Sequence, residues 1–346
     1  MASLLAASAV PRLSWADAGS PAYLAAARES DGGYALFGLD RNGQDLFRIV
    51  LPGRGHAATA HPFAPEAVAF ARRPGTFALV IDCMTGGVAH RLESPEGHHF
   101  YGHGAFIAGG ELLCTTENHI DSGEGRIGIW SRRQGYRRIA EIESGGIGPH
   151  EILSLPGDML AIANGGIRTH PEQGREKLNI SEMRPNLAYA SLDGVVEVVE
   201  LAKDMRLASI RHLASDGRSI AFAMQWQGEL PDTTPLLGLH RPGETVRLCC
   251  ANVAEQTTMK GYAGSVAIAG ERVAITSPRG GRLHVFDLEG AFQGNIIRAD
   301  VCGVAPRGAD FLATDGHGGV MGVQGQDLRP LNLAARSWDN HLVQIG

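Results

Sequence analysis

No run of this sequence reaches the ~18–20 consecutive apolar residues that a membrane-spanning helix requires. Basic stretches interleaved with aromatic residues are also missing, and a net charge of −6 argues against nucleic acid as a partner. The cysteines, Cys83, Cys114, Cys249, Cys250 and Cys302, are odd in number and form no CxxC, so they read as core thiols in strands. GxSxG is absent and no Cys/His pair has nucleophile spacing, which leaves serine or cysteine hydrolase chemistry without local support. His119, Asp121 and Glu124 lack the dense oxygen spacing of a calcium loop. Asp315-Gly316-His317-Gly318-Gly319 is Gly-rich but leads into no helix, so it makes a poor phosphate cradle.

What the chain has is a repeat. His150 opens an apolar run in GIGPHE, His103 stands in YGHGAF and His56 in RGHAAT; 150 minus 103 and 103 minus 56 are both 47. A period of about 40–50 residues is the mark of a closed array of β-units, each too small to bury its own core. Later copies start at His212, at Gly264-Ser265 and at Cys302-Gly303, and His341 opens the last strand, HLVQIG. Each unit carries short β-like runs bounded by turn residues, and 46 glycines supply the positive φ that many tight turns need. Only three such runs, AYLAAARE, YALFGLD and DLFRIVLP, precede His56. The fourth strand of the first unit is therefore expected from the C-terminus, which closes the ring. The expectation is an all-β, seven-bladed β-propeller over residues 21–346, with an insertion at 167–185 in blade four. Residues 1–20 read as a lead-in or the remnant of an export signal: Ala16-Asp17-Ala18 has the small-x-small pattern, but no Lys or Arg precedes Arg12.

In a propeller the innermost strands line a central channel, and their entry loops share one face with the ends of the second strands. That geometry gathers His56, His103, His150, His212 and His341, with Ser265 and Cys302 or Gly303 in the remaining blades. Ends of second strands add Glu117, Asn118, Asn164, Gln225, Gln227, Arg279, Asp315 and His317, and the insertion adds Arg168 and His170. Several imidazoles with Glu117 and Glu151 nearby suit a divalent transition metal, since nitrogen donors favour iron, copper and zinc and a carboxylate shifts the balance toward iron or manganese. The first-choice ligands are His103, His150 and His212, with Glu117 and Glu151 as ligands or as groups that orient the imidazoles. Two other readings stand beside this one. Histidines with Arg168 and Arg279 could hold an anionic small molecule, and polar inner-strand starts can simply bind channel water.

The motifs YGHGAF, TTEN, GIGPHE, ANGGIRTHPEQGREKLN and SIRHL resemble the bacterial domain-of-unknown-function family 1513, over about Pro21 to His341. The resemblance implies an exported, periplasmic seven-bladed propeller whose genes accompany iron-responsive clusters, and hence a role in handling iron or copper, with zinc less favoured. It also implies a periplasmic protein partner from the iron-handling genes; the chain itself is expected to be a monomer. The twin-arginine export signal typical of that family has no counterpart in residues 1–20. The functional expectation is a metal-binding propeller accessory to metal uptake. A metal-dependent lactonase or lyase at the same site and an interaction scaffold with an inert channel are the alternatives.

Overall fold

The computed structural model describes residues 13–72, 76–174, 176–229 and 233–345. The second strands are largely buried and mostly apolar, as in Glu66–Ala71 (EAVAFA) and Met159–Asn164 (MLAIAN), because both faces of these sheets are covered by the neighbouring blades. Outer strands have one covered face and alternate instead, as in Gly194–Glu200 (GVVEVVE). These patterns produce seven four-stranded antiparallel sheets.

The apolar core lies between blades rather than at the middle of the molecule. Seven buried clusters correspond to the seven blade-to-blade contacts. One joins Leu24, Leu36 and Ile49 of blade one to Ala67, Leu79 and Ile81 of blade two. Another joins Phe37 and Leu39 of blade one to Cys302, Leu312 and Val320 of blade seven, which seals the ring. The C-terminal strand Arg336–Gln344 pairs with Tyr23–Glu29, with Leu342 opposite Ala25, and is the innermost strand of the first blade. The expected closure is therefore present, and the strand is longer than HLVQIG.

Two features were not read from the sequence. Trp15, at the head of the short 3₁₀ turn Trp15–Ala18, is 9% exposed and packs with Leu24 and Ile49, and its Nε1 donates to the His61 carbonyl at 2.8 Å. The end of the presumed lead-in is thus part of the folded ring, while Met1 to Arg12 lie outside the described residues. A helix, Val253–Thr258, bridges blades five and six, with the Asn252 side chain accepting from the Glu255 amide. No helix among the described residues is long and apolar enough to cross a membrane.

The inner strands are Arg336–Gln344, Gly55–Ala60, His98–Ile107, Pro149–Leu155, Ala208–Ser215, Ser265–Ala269 and Val301–Arg307. Six of these seven break register with their second strands, and Ser265–Ala269 alone does not. The breaks fall between Gly55 and Ala58, Phe100 and Gly104, Pro149 and Glu151, Ile210 and His212, Val301 and Val304, and opposite Trp338 and Leu342. Five of the six fall at a channel histidine. A β-bulge adds an unpaired residue and re-aims side chains that strict alternation would send to opposite faces.

Candidate functional site: a histidine cluster across the propeller channel

The bulges turn five imidazoles toward one another. His56, His150, His212 and His341 form a closed quadrilateral, with ring centres 5.3, 5.0, 4.8 and 4.8 Å apart around its edges. His103 caps it, at 4.8 Å from His56, 5.1 Å from His150, 4.7 Å from His341 and 6.2 Å from His212.

Glycine makes this crowding possible. Gly102 has φ +100°, and a Cβ there would stand 2.6 Å from Cδ2 of His56; at Gly104 a Cβ would meet Phe70 and the Cys114 carbonyl. The two glycines of YGHGAF therefore let His103 enter the channel and His56 lie against the backbone beside it.

The hydrogen bonds of the cluster fix the tautomers of two of its imidazoles. His150 Nδ1 lies 3.0 Å from the Arg211 carbonyl oxygen, which only accepts, so Nδ1 carries the proton and Nε2 the lone pair. Glu151 Oε2 accepts from the Leu213 amide at 3.0 Å and from His212 Nδ1 at 3.0 Å, which fixes the same tautomer in His212. Its Oε1 is 3.9 Å from His103 Nδ1. Burial is the first cause of the uncharged state: it holds His212 and His341 down to about 3 and His103 and His150 well below their ordinary value. Burial also pushes the Glu151 carboxyl up to about 7, opposed by His341 and the Leu213 amide. Nε2 of His103 and of His341 is buried and meets no hydrogen-bond partner among the described residues. Two sets of donor atoms lie within 4.8 Å of one another, His56–His103–His341 and Glu151–His212–His341, sharing His341.

The cluster divides the channel. On one side is a cavity of about 560 Å³, walled by inner-strand backbone and small apolar side chains, with Glu151, His103, His212 and His341 at its floor. On the other is a mouth of about 310 Å³ floored by His56, His150 and His212. Arg72, Lys177, Arg211 and Arg279 line that mouth, and no carboxylate stands among its described lining residues.

Of the residues expected at the site, His56, His103, His150, His212, His341 and Glu151 are brought together, and Gln227 and Arg279 line the mouth. Glu117 does not join them. Its carboxylate is fully buried inside blade three, bound to Arg138 at 2.9 Å and to the Thr115 hydroxyl at 2.7 Å. Asn118 pairs with His99 in the same blade. Asn164 is consumed by Ser144 and Asn186, tying blade four to the last strand of blade three. Arg168 donates to the Asp121 carbonyl, His170 accepts from the Glu172 amide, and the His317 amide donates to Asp315; none of the three lines either cavity. Cys302 faces Thr314 and the Trp338 carbonyl in the blade interface, not the channel. All five cysteines are free, and burial pushes Cys83, Cys114, Cys249 and Cys302 up to about 12.

Arg72, Tyr101, Lys177 and Arg211 were missed. The bulge between Ile210 and His212 lets the consecutive residues Arg211 and His212 both face the mouth, which a period of two forbids. The insertion supplies Ile167, Thr169 and Lys177 to the wall, and Thr169 is tied to the Tyr101 hydroxyl at 3.1 Å.

Fold and site together define a seven-bladed β-propeller with a histidine cluster closing its channel. The chain belongs to the family described as "Protein of unknown function (DUF1513)", whose model matches residues 49–345. No curated protein matches it. Among solved structures it is similar to Kuenenia stuttgartiensis hydrazine synthase, at 11% identity and a TM-score of 0.57, over 89% of this chain and 91% of that one. It is similar also to the computationally designed Ika8 protein, at 12% identity and a TM-score of 0.58, over 92% of this chain and 89% of that one. At these identities the likeness is one of fold.

Proposed function

We propose that the channel cluster binds a divalent transition metal ion, iron or copper in preference to zinc, and that the protein serves in metal handling. The observation that carries this reading is the capped quadrilateral of five imidazoles, four of them held uncharged by burial, with buried Nε2 atoms of His103 and His341 that meet no partner among the described residues. A buried polar atom without a partner costs about 1–3 kcal/mol, and two such atoms aimed into one cluster are explained together if both are donors to an ion. Neutral nitrogen donors with one carboxylate suit iron(II) or copper(II), and the donor atoms fall into two triads that share His341. The hydrogen bonds from Nδ1 of His150 and His212 supply the outer support that orients metal-binding imidazoles. An exported, periplasmic setting with an iron-handling partner protein belongs to this proposal and rests on the family resemblance.

The test is elemental analysis of untagged protein followed by titration of iron(II), copper(II) and zinc into the chelator-stripped form. Near-stoichiometric iron or copper, lost in a His103→Gln, His341→Gln double variant, supports the reading. No affinity tighter than about micromolar for any of the three ions sinks it.

A further inference from the structure

The mouth above the cluster is a concavity lined by four cations that the metal reading leaves unused. Its four cations come from separate parts of the ring: Arg72 beyond the second strand of blade two, Lys177 from the insertion, Arg211 from the inner strand of blade five and Arg279 from blade six. Asp339 is shared by Arg54 at 2.6 Å and Arg72 at 3.0 Å, so one carboxylate answers two guanidinium groups. Arg279 is stacked on the Tyr262 ring at 4.3 Å, and the Tyr262 hydroxyl accepts from Asn340 at 3.4 Å, which fixes the guanidinium at the rim. Gln225, Gln227 and Asn340 add amide groups to the same wall. The field inside is positive: burial, then Arg211 and Arg279, hold the Lys177 ammonium below its ordinary value.

We infer that this mouth binds a small polycarboxylate, its negative groups splayed toward Lys177, Arg211 and Arg279 and its centre over His56, His150 and His212. Three cations supplied by the consecutive blades four, five and six around a 310 Å³ space present separate donor groups, which match several charged arms better than one compact anion. Such a ligand carries oxygen donors at the level of the imidazoles, and so enters as the metal's anionic chelate. That last clause rests on the metal-binding reading; the anion pocket does not.

The test is calorimetric titration of the metal-free protein with citrate and with inorganic phosphate, in low and in raised salt. Citrate is expected to bind more tightly than phosphate. Affinity should fall about tenfold or more in a Lys177→Gln, Arg279→Gln double variant that keeps the wild-type melting temperature, and should weaken as salt rises. Citrate binding in a protein that takes up no metal would leave the pocket standing and remove the metal reading. Phosphate binding more tightly than citrate would overturn the polycarboxylate assignment. Citrate affinity unchanged in the double variant, or no citrate binding to either the metal-free or the metal-loaded protein, would overturn the inference while leaving metal binding untouched.

Discussion

His212 Nδ1 and Glu151 Oε2 lie 3.0 Å apart on neighbouring inner strands, and the same oxygen accepts from the Leu213 amide, so one carboxylate fixes both the tautomer and the tilt of one imidazole. Replacing Glu151 with Gln keeps an acceptor but removes the charge. Metal affinity should fall by at least about 10-fold, whether Glu151 ligates the ion or orients His212, with little change in melting temperature. Competition titration against a chromophoric chelator reads this directly, and unaltered affinity would detach Glu151 from the site.

The pH dependence of the metal-free protein has a definite sign. His212 and His341, held to about 3 in the fold, protonate near 6.5 once unfolded, so the unfolded state binds more protons between those values. Stability is therefore full above about pH 6.5 and falls as pH drops toward 3, by about 1.4 kcal/mol per pKa unit for each group. Glu151, raised to about 7, acts oppositely: its folded form holds a proton from about 4.5 to 7 and gains stability as pH falls through that window. His103 and His150 are lowered as well, so four histidines outweigh one carboxyl. Urea melts of chelator-stripped protein should show a net loss of several kcal/mol from pH 7 to pH 4, and a flat profile would contradict the buried, neutral cluster.

Gly102 has a role that only a missing side chain can fill. Gly102→Ala puts a Cβ at 2.6 Å from His56 Cδ2 in a backbone with φ +100°. It should displace His56, cost about 1–2 kcal/mol of stability and weaken metal binding at least tenfold. Gly157, also at positive φ, would bring its Cβ within 4 Å of nothing. Gly157→Ala is therefore the control: a stability loss of about 1 kcal/mol with metal affinity unchanged. Equal effects of both substitutions on metal binding would contradict the assignment.

Glu117 separates structural charge from site charge. Its carboxylate is fully buried against Arg138, whose side chain keeps 19% exposure, and removing it leaves that guanidinium without its buried partner. Glu117→Ala should cost about 3 kcal/mol in chemical denaturation while the folded protein binds metal with wild-type affinity. A selective loss of metal affinity would return Glu117 to the site.

The ring was legible because its cause is local. Seven alternations of short apolar runs and turns, with histidines repeating at one register, require only strand period and turn chemistry. His56, His103 and His150 announced the channel by spacing, and His341 by opening the last strand. Glu117 misled because it ends a second strand, where side-chain parity decides between channel and blade interface, and no sequence feature gives that parity. Arg211 was hidden by the bulge that carries His212 inward. Arg72 and Lys177 were hidden because they reach the mouth from a strand end and an insertion that carry no period.

The most direct test of the histidine cluster is electron paramagnetic resonance of protein loaded with one equivalent of copper(II). The geometry predicts a tetragonal signal with superhyperfine coupling to at least three nitrogens, converted in His341→Gln to a different signal with fewer coupled nitrogens, because His341 belongs to both donor sets. A spectrum of oxygen-coordinated or surface copper, or one that His341→Gln leaves unchanged, would contradict it.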